Sequence, residues 1–116
     1  MRLGTAVVTG RSMEPTLHEG DRLLVLYGAR PRADRLALVT LPPDAGGAAR
    51  PLAVKRVTGR DPSGGVGWWV ERDNPHEGVD SWTVGAIAPD DVHALVLTRI
   101  PHPRLHRLRP RRRGHG

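Results

Sequence analysis

Ser12 and Lys55 are the two residues of this 116-residue chain that best suit nucleophilic chemistry. Of the 18 basic residues, 17 are arginine, and Lys55 is the single lysine. A guanidinium stays protonated in proteins, whereas a desolvated ammonium can lose its proton and act as a general base. A serine nucleophile needs such a base, and a Ser-Lys pair is one recognised variant. The residue types therefore predict a Ser12–Lys55 dyad, against the alternative that an arginine-rich chain kept one lysine by chance.

The residues around Ser12 and Lys55 form motif blocks. Residues 10–21 read Gly-x-Ser-Met-x-Pro-Thr-Leu-x-x-Gly-Asp, residues 54–59 read Val-Lys-Arg-Val-x-Gly, and Asp73-Asn74 and Asp80-Ser81-x-x-x-Gly85 follow. In order and spacing, over roughly residues 5–100, these blocks resemble the signal peptidase I family of Ser-Lys endopeptidases. The small size, the lack of an apolar anchor and the stretch 67–75 look most like the soluble maturation proteases associated with nickel-type superoxide dismutase.

The resemblance implies a serine endopeptidase that needs no cofactor. It would remove an N-terminal propeptide from a precursor protein, for which nickel superoxide dismutase is a candidate, after binding it as an extended peptide. Ser12 would be the nucleophile and Lys55 its base, while the N–H of Ser12 would stabilise the oxyanion. Gly10 and Met13 belong to the nucleophile motif, where glycine permits a close backbone approach to the substrate.

The residues that would support the dyad depart from the family's pattern. The pairing of Arg56 with Asp80 would resemble the family's structural salt bridge, and Ser81 or Thr83 is left to supply a hydroxyl to the lysine. That hydroxyl is missing because Gly78 occupies the position at which the family has a serine. The departures are at Gly10, which replaces a hydroxyl residue, and at Arg72, Gly78 and Trp82, which replace glycine, serine and arginine.

Two alternatives belong to other functional classes. Ser-Lys architecture is also similar to the C-terminal domain of repressors that cleave themselves. Against this alternative, we expect no DNA-binding headpiece before the domain and no Ala-Gly-type segment before Thr5 that could be cleaved in cis. The altered third block also suits a degenerate relative that binds a peptide as an added β-strand without cutting it.

Composition limits the remaining classes. At 116 residues the chain is long enough for one domain with a modest core, and without phenylalanine that core must use mainly Val, Leu, Ile and Ala. The absence of cysteine excludes disulfides, thiol chemistry and Cys-ligated zinc. The six histidines are scattered, so we expect no metal site. Oligomeric state is left open.

The net charge of +6 comes from the C-terminal end. Residues 1–100 hold 12 basic and 12 acidic residues, whereas residues 101–116 hold six arginines and no acid. We therefore predict a peptidase domain over 1–100 and a basic, disordered tail over 101–116, which is either solvated or in weak contact with polyanions. No stretch reaches the ~18 apolar residues of a membrane span, so we expect a cytoplasmic protein without a transmembrane anchor.

Short apolar runs bounded by Gly, Pro, Asp or Asn predict the elements that position the dyad. They indicate a mostly β single domain, with the β-rich catalytic core of signal peptidases and repressor autoproteases that the resemblance implies. The predicted strands are 5–9, 22–27, 36–41, 52–57, 68–71 and 92–100, with a hairpin turn at 61–65 and a single helical turn at 14–18. In a strand, Ala53, Lys55 and Val57 share one face, so burial should lower the pKa of Lys55.

Overall fold

The structure is built around one antiparallel sheet of six strands. The computed structural model describes residues 1–101, so the predicted tail lies outside the described residues apart from Pro101. The strands are β1 (Arg2–Val7), β2 (Arg22–Tyr27), β3 (Leu36–Thr40), β4 (Leu52–Arg60), β5 (Trp68–Glu71) and β6 (Val92–Ile100), in the spatial order β1-β2-β6-β3-β4-β5. One short helix, α1 (Ser81–Val84), and a 3-10 turn at Pro89–Asp91 follow β5. The prediction of a mostly β fold is confirmed.

Two strands reach further than predicted because they continue to pair with a neighbouring strand. The first strand begins at Arg2 because Arg2 lies opposite Tyr27 in the ladder with β2. The fourth strand continues past Val57 to Arg60 because its second half pairs with β5. The predicted hairpin turn is present, with the N–H of Gly64 bonded to the carbonyl of Asp61 at 3.0 Å.

Alternation along the strands divides the buried side chains between the two faces of the sheet. Leu38 packs on one face, while its neighbours Ala37 and Val39 pack on the other. The first core consists of Val8, Met13, Leu17, Leu23, Val25, Leu38, Val54, Ala94 and Val96. The second core consists of Ala37, Val39, Leu41, Val57, Trp68, Val70 and Ile87. Aliphatic residues dominate both cores.

Strand β4 has a free edge that determines where the site forms. It pairs with β3 over Leu52–Arg56, but β5 joins its other side only from Arg56 onward. In the described chain, the second side of Leu52–Lys55 therefore carries no strand. Residues 8–21, which connect β1 to β2, cross this edge, and the N–H of Leu17 bonds to the carbonyl of Met13 at 2.9 Å in the predicted turn.

Within residues 1–101, no helix combines the length and the apolar character that crossing a membrane requires.

Candidate active site

Ser12 and Lys55 meet at the free edge of β4. The Nζ of Lys55 lies 2.7 Å from the Oγ of Ser12, and Lys55 is only 2% exposed. Met13 packs with Val54 in the first core, on one face of the sheet, while Ser12 reaches Lys55 on the other face. The connection between β1 and β2 thus wraps around the strand edge, and this wrapping brings together two residues that are 43 positions apart.

Burial of the Lys55 amine favours its neutral form. Desolvation lowers the pKa of Lys55 to about 8, the negative charge of Asp80 partly opposes this shift, and the positive charge of Arg72 adds to it. A pKa of about 8 leaves roughly one amine in ten neutral at pH 7, whereas the ordinary pKa leaves about one in three thousand. Burial therefore gives Lys55 the neutral population that a general base would need.

The backbone around Ser12 suits an oxyanion-binding role. In the described part of the chain, the N–H of Ser12 has no protein acceptor, so it is free to donate to a substrate oxygen. Gly10 adopts a φ of +78°, which favours glycine, and a Cβ there would meet no atom within 4 Å. Met13, which directly follows Ser12, is buried in the first core and so anchors the chain next to Ser12.

Asn74 holds the loop that carries Ser12 in place, a role that the sequence analysis did not predict. Its backbone N–H donates to the carbonyl of Ser12 at 2.8 Å, and its side-chain Nδ2 donates to the carbonyl of Arg11 at 2.9 Å. Its Oδ1 accepts the N–H of His76 at 3.0 Å. With both carbonyls held, the orientation of the Ser12 peptide is restricted. The sequence signal at this position was the Asp73-Asn74 block of the resemblance, to which no contact with Ser12 was assigned.

The predicted pairing of Arg56 with Asp80 is wrong, because Arg56 binds Asp73. Its Nε and Nη2 donate to the two carboxylate oxygens of Asp73 at 2.9 and 2.7 Å. Strand alternation places Arg56 on the face opposite Lys55, whereas Asp80 lies on the Lys55 side, where it caps α1 by accepting the N–H of Trp82 at 3.1 Å. The basic partner of Asp80 is Arg72, at 3.8 Å.

Asp73→Asn is expected to destabilise the fold by about 1–3 kcal/mol at pH 7, because it breaks the charged, bidentate pair with Arg56. The hydrogen bond from Arg56 lowers the pKa of Asp73. The stabilisation is therefore complete above the ordinary carboxyl pKa and is lost as the pH falls through the lowered value. Denaturant unfolding at pH 7 and at pH 3 measures both effects, with the exposed Asp90→Asn as control. Equal stability of Asp73→Asn and wild type at pH 7 would refute this role.

Ser81 does not provide the hydroxyl that was expected to support Lys55. Its Oγ accepts the backbone N–H of Val70 at 2.9 Å, and the side chain is buried beneath α1. The hydrogen bond of the Lys55 amine goes to Ser12 instead. Ser81 therefore joins α1 to strand β5 and holds the end of that strand in place.

Gly78 lies directly against the dyad. Its φ is +86°, and a Cβ at this position would lie 2.5 Å from the Cβ of Ser12 and 3.4 Å from the Nζ of Lys55. Real Cβ atoms do not approach a neighbour so closely, so no side chain fits here without displacing Ser12. The family's serine at this position is therefore sterically excluded in this chain.

A groove runs along the free edge of β4 and ends at the dyad. A cavity of about 280 Å³ includes Thr9, Ser12, Leu52, Lys55 and Val79 in its lining. A neighbouring cavity of about 400 Å³ shares Thr9 and Leu52 with it. A larger cavity of about 600 Å³ lies elsewhere and includes neither Ser12 nor Lys55. The site is therefore identified by the Ser12–Lys55 pair and not by the volume of its cavity.

The carboxylate beside the Ser12 loop has an ordinary surface partner. Glu14 pairs with Arg11 at 3.3 Å, as a surface carboxylate does. Among residues 1–101, no three His, Asp or Glu side chains are grouped so that they could hold a metal ion.

Comparison with protein-family models and with curated proteins finds no match to this chain.

Proposed function

We propose that this chain is a serine endopeptidase with a Ser12–Lys55 dyad, which removes an N-terminal propeptide from a precursor protein. The observation that carries the proposal is the buried Lys55 amine, 2.7 Å from the Ser12 hydroxyl, at the end of an open groove. Within residues 1–101 no carboxylate forms an ion pair with Lys55, and a buried lysine without such a pair is costly to the fold, so its presence beside a serine favours a catalytic role. The sub-family resemblance makes the nickel-type superoxide dismutase precursor the first substrate to test.

The proposed mechanism is acyl transfer in two steps. Neutral Lys55 takes the proton of Ser12 Oγ as Oγ bonds to the scissile carbonyl carbon, and the N–H of Ser12 donates to the resulting oxyanion. The C–N bond then breaks, and the Lys55 ammonium gives its proton to the leaving amine. Water next loses a proton to Lys55 and attacks the ester. Release of the acid returns the proton to Ser12 Oγ.

The free edge of β4 supports an extended substrate. The backbone groups of Leu52–Lys55 on this side have no strand partner among the described residues, so a peptide can add to the sheet there. Such a peptide would lie in the groove between residues 9–12 and β4, with its carbonyl next to Ser12. Affinity would then come from backbone hydrogen bonds along the edge.

Cleavage is tested directly by mass spectrometry. The purified chain is incubated with the nickel-type superoxide dismutase precursor and, in parallel, with a random peptide library, and Ser12→Ala serves as the control. New termini that require Ser12 support the proposal. Failure to cut either substrate, together with failure to form an acyl-enzyme, would refute it.

Peptide binding without cleavage is a second candidate, favoured by Gly10 and Gly78. Neither position supplies the hydroxyl that relatives provide to the oxyanion or to the lysine. Under this alternative, peptides bind with the same affinity to wild type and Ser12→Ala, and no acyl-enzyme forms. The cleavage experiment therefore separates the two candidates.

The proposed base predicts a definite pH dependence. Because the pKa of Lys55 is about 8 and the neutral amine is the active form, kcat/KM should fall about tenfold per pH unit below pH 8. The profile is measured with a peptide substrate in wild type and in His18→Ala and His76→Ala. A limb near pH 6.5 that disappears in either histidine variant would transfer the base role from Lys55 to that histidine.

A further inference from the structure

Arg72 makes several contacts beside the dyad without touching the Ser12 hydroxyl. Its Nη1 donates to the carbonyl of Gly78 at 2.7 Å, and its Nε lies 3.8 Å from the Oδ2 of Asp80. The same carboxylate oxygen accepts the backbone N–H of Arg72 at 3.2 Å. Arg72 therefore spans the loop that follows β5 and joins its two ends.

This loop reaches the nucleophile at two points. Near its start, Asn74 holds the carbonyls of Arg11 and Ser12. Near its end, the backbone of Gly78 lies against the side chains of Ser12 and Lys55. Among the described residues, Arg72 is the only side chain that donates a hydrogen bond to the Gly78 carbonyl.

We propose that Arg72 is a positioning residue, which holds the Gly78 carbonyl so that the Gly78 backbone stays packed against the Ser12–Lys55 pair and keeps water from the amine. The contacts alone support the packing role of Arg72, whereas its effect on catalysis rests on the proposed peptidase function. Asp80 supports the arrangement because it holds both the backbone and the guanidinium of Arg72.

The charges around the Lys55 amine give the proposal a measurable consequence. Asp80 and Arg72 are the charged groups that influence Lys55 most, and they act in opposite directions. Other charges line the same groove, but Arg11 pairs with Glu77 at 3.6 Å and Arg50 donates to the carbonyl of Pro42. Loss of Arg72 removes a positive charge and admits water to the amine. Both changes raise the pKa of Lys55.

The test uses the fact that Lys55 is the only lysine. Protein labelled with ¹³Cε-lysine gives one NMR signal, whose titration reports this amine without assignment and without any substrate. Arg72→Met should shift the titration to higher pH, whereas Arg60→Met, a matched change at the far end of β4, should leave it in place. If Arg72→Met does not fold, Arg72→Gln, which keeps an amide donor, should show a smaller shift in the same direction.

Peptide cleavage supplies the second measurement. Arg72→Met should lower kcat about tenfold with KM nearly unchanged, and Arg72→Lys, which restores a charged donor, should recover most of the loss. An unchanged lysine titration in Arg72→Met would overturn the positioning role. If wild type cleaves no peptide but the titration still shifts, the peptidase proposal fails while the packing role of Arg72 stands.

Discussion

Ser12→Ala and Lys55→Met are each expected to lower kcat/KM for peptide cleavage at least about 1000-fold. The Ser12 hydroxyl lies 2.7 Å from the buried Lys55 amine, and residues that act as one catalytic unit fail together. The double variant should therefore be no less active than either single variant. Single-turnover assays with peptide substrate measure all three, and additive losses would contradict a shared step.

The free energy of unfolding of Lys55→Met distinguishes a loss of activity from a loss of the fold. Because burial lowers the pKa of Lys55 to about 8, the native state disfavours a proton that the unfolded chain binds. This unfavourable contribution is fully present below pH 8 and disappears as the pH rises through the ordinary lysine value. Lys55→Met should thus stabilise the fold by about 1–3 kcal/mol at pH 7 and by less near pH 10. A less stable Lys55→Met at pH 7 would show that the amine supports the fold.

Gly78→Ser is expected to lower kcat/KM at least about 100-fold, although it introduces the residue that signal peptidases carry at this position. The new Cβ would lie 2.5 Å from the Cβ of Ser12, so the nucleophile must move, and a displacement of about 1 Å is enough for such a loss. The backbone φ of +86° adds strain of roughly 1–2 kcal/mol for any residue with a side chain.

Gly85→Ser is the matched control for this prediction. Gly85 has a φ of +85°, and a Cβ there would meet no atom within 4 Å, so the control carries the backbone strain without the clash. Both variants should lose stability in denaturant unfolding because of the positive φ, Gly78→Ser more than Gly85→Ser because of its clash, but only Gly78→Ser should lose activity. Increased cleavage by Gly78→Ser would mean that the loop has room for a hydroxyl and that its packing against the dyad is looser than described.

Much of the fold follows from local sequence patterns. The six strands were predicted within a few residues because alternating apolar side chains and turn-forming residues act over short distances. The shared face of Ala53, Lys55 and Val57 also follows from alternation within one strand. The dyad itself was predicted from residue types and motif resemblance, since a lone lysine among arginines is visible without any structure.

The partners of the supporting residues depended on the tertiary structure. Asp73 and Asp80 both lie in the segment after β5, and spacing alone does not tell which of them meets Arg56. Arg56 meets Asp73 because of the register of β4 against β5 and the face of the sheet on which Arg56 lies. Likewise, Arg72 meets Asp80 although the resemblance placed the arginine at Trp82.

The sequence by itself therefore determined the strands and the mostly β class, and it singled out Ser12 and Lys55, which the structure brings within 2.7 Å of each other. Each of these depends on residue type or on neighbours along the chain. The tertiary structure alone decided that Asn74 holds the Ser12 loop, that Gly78 has no room for a side chain and that Arg72 holds Gly78. These contacts form where the connection between β1 and β2 crosses the free edge of β4 and meets the loop after β5. Their geometry depends on strand order and register, which pair segments that are far apart in sequence.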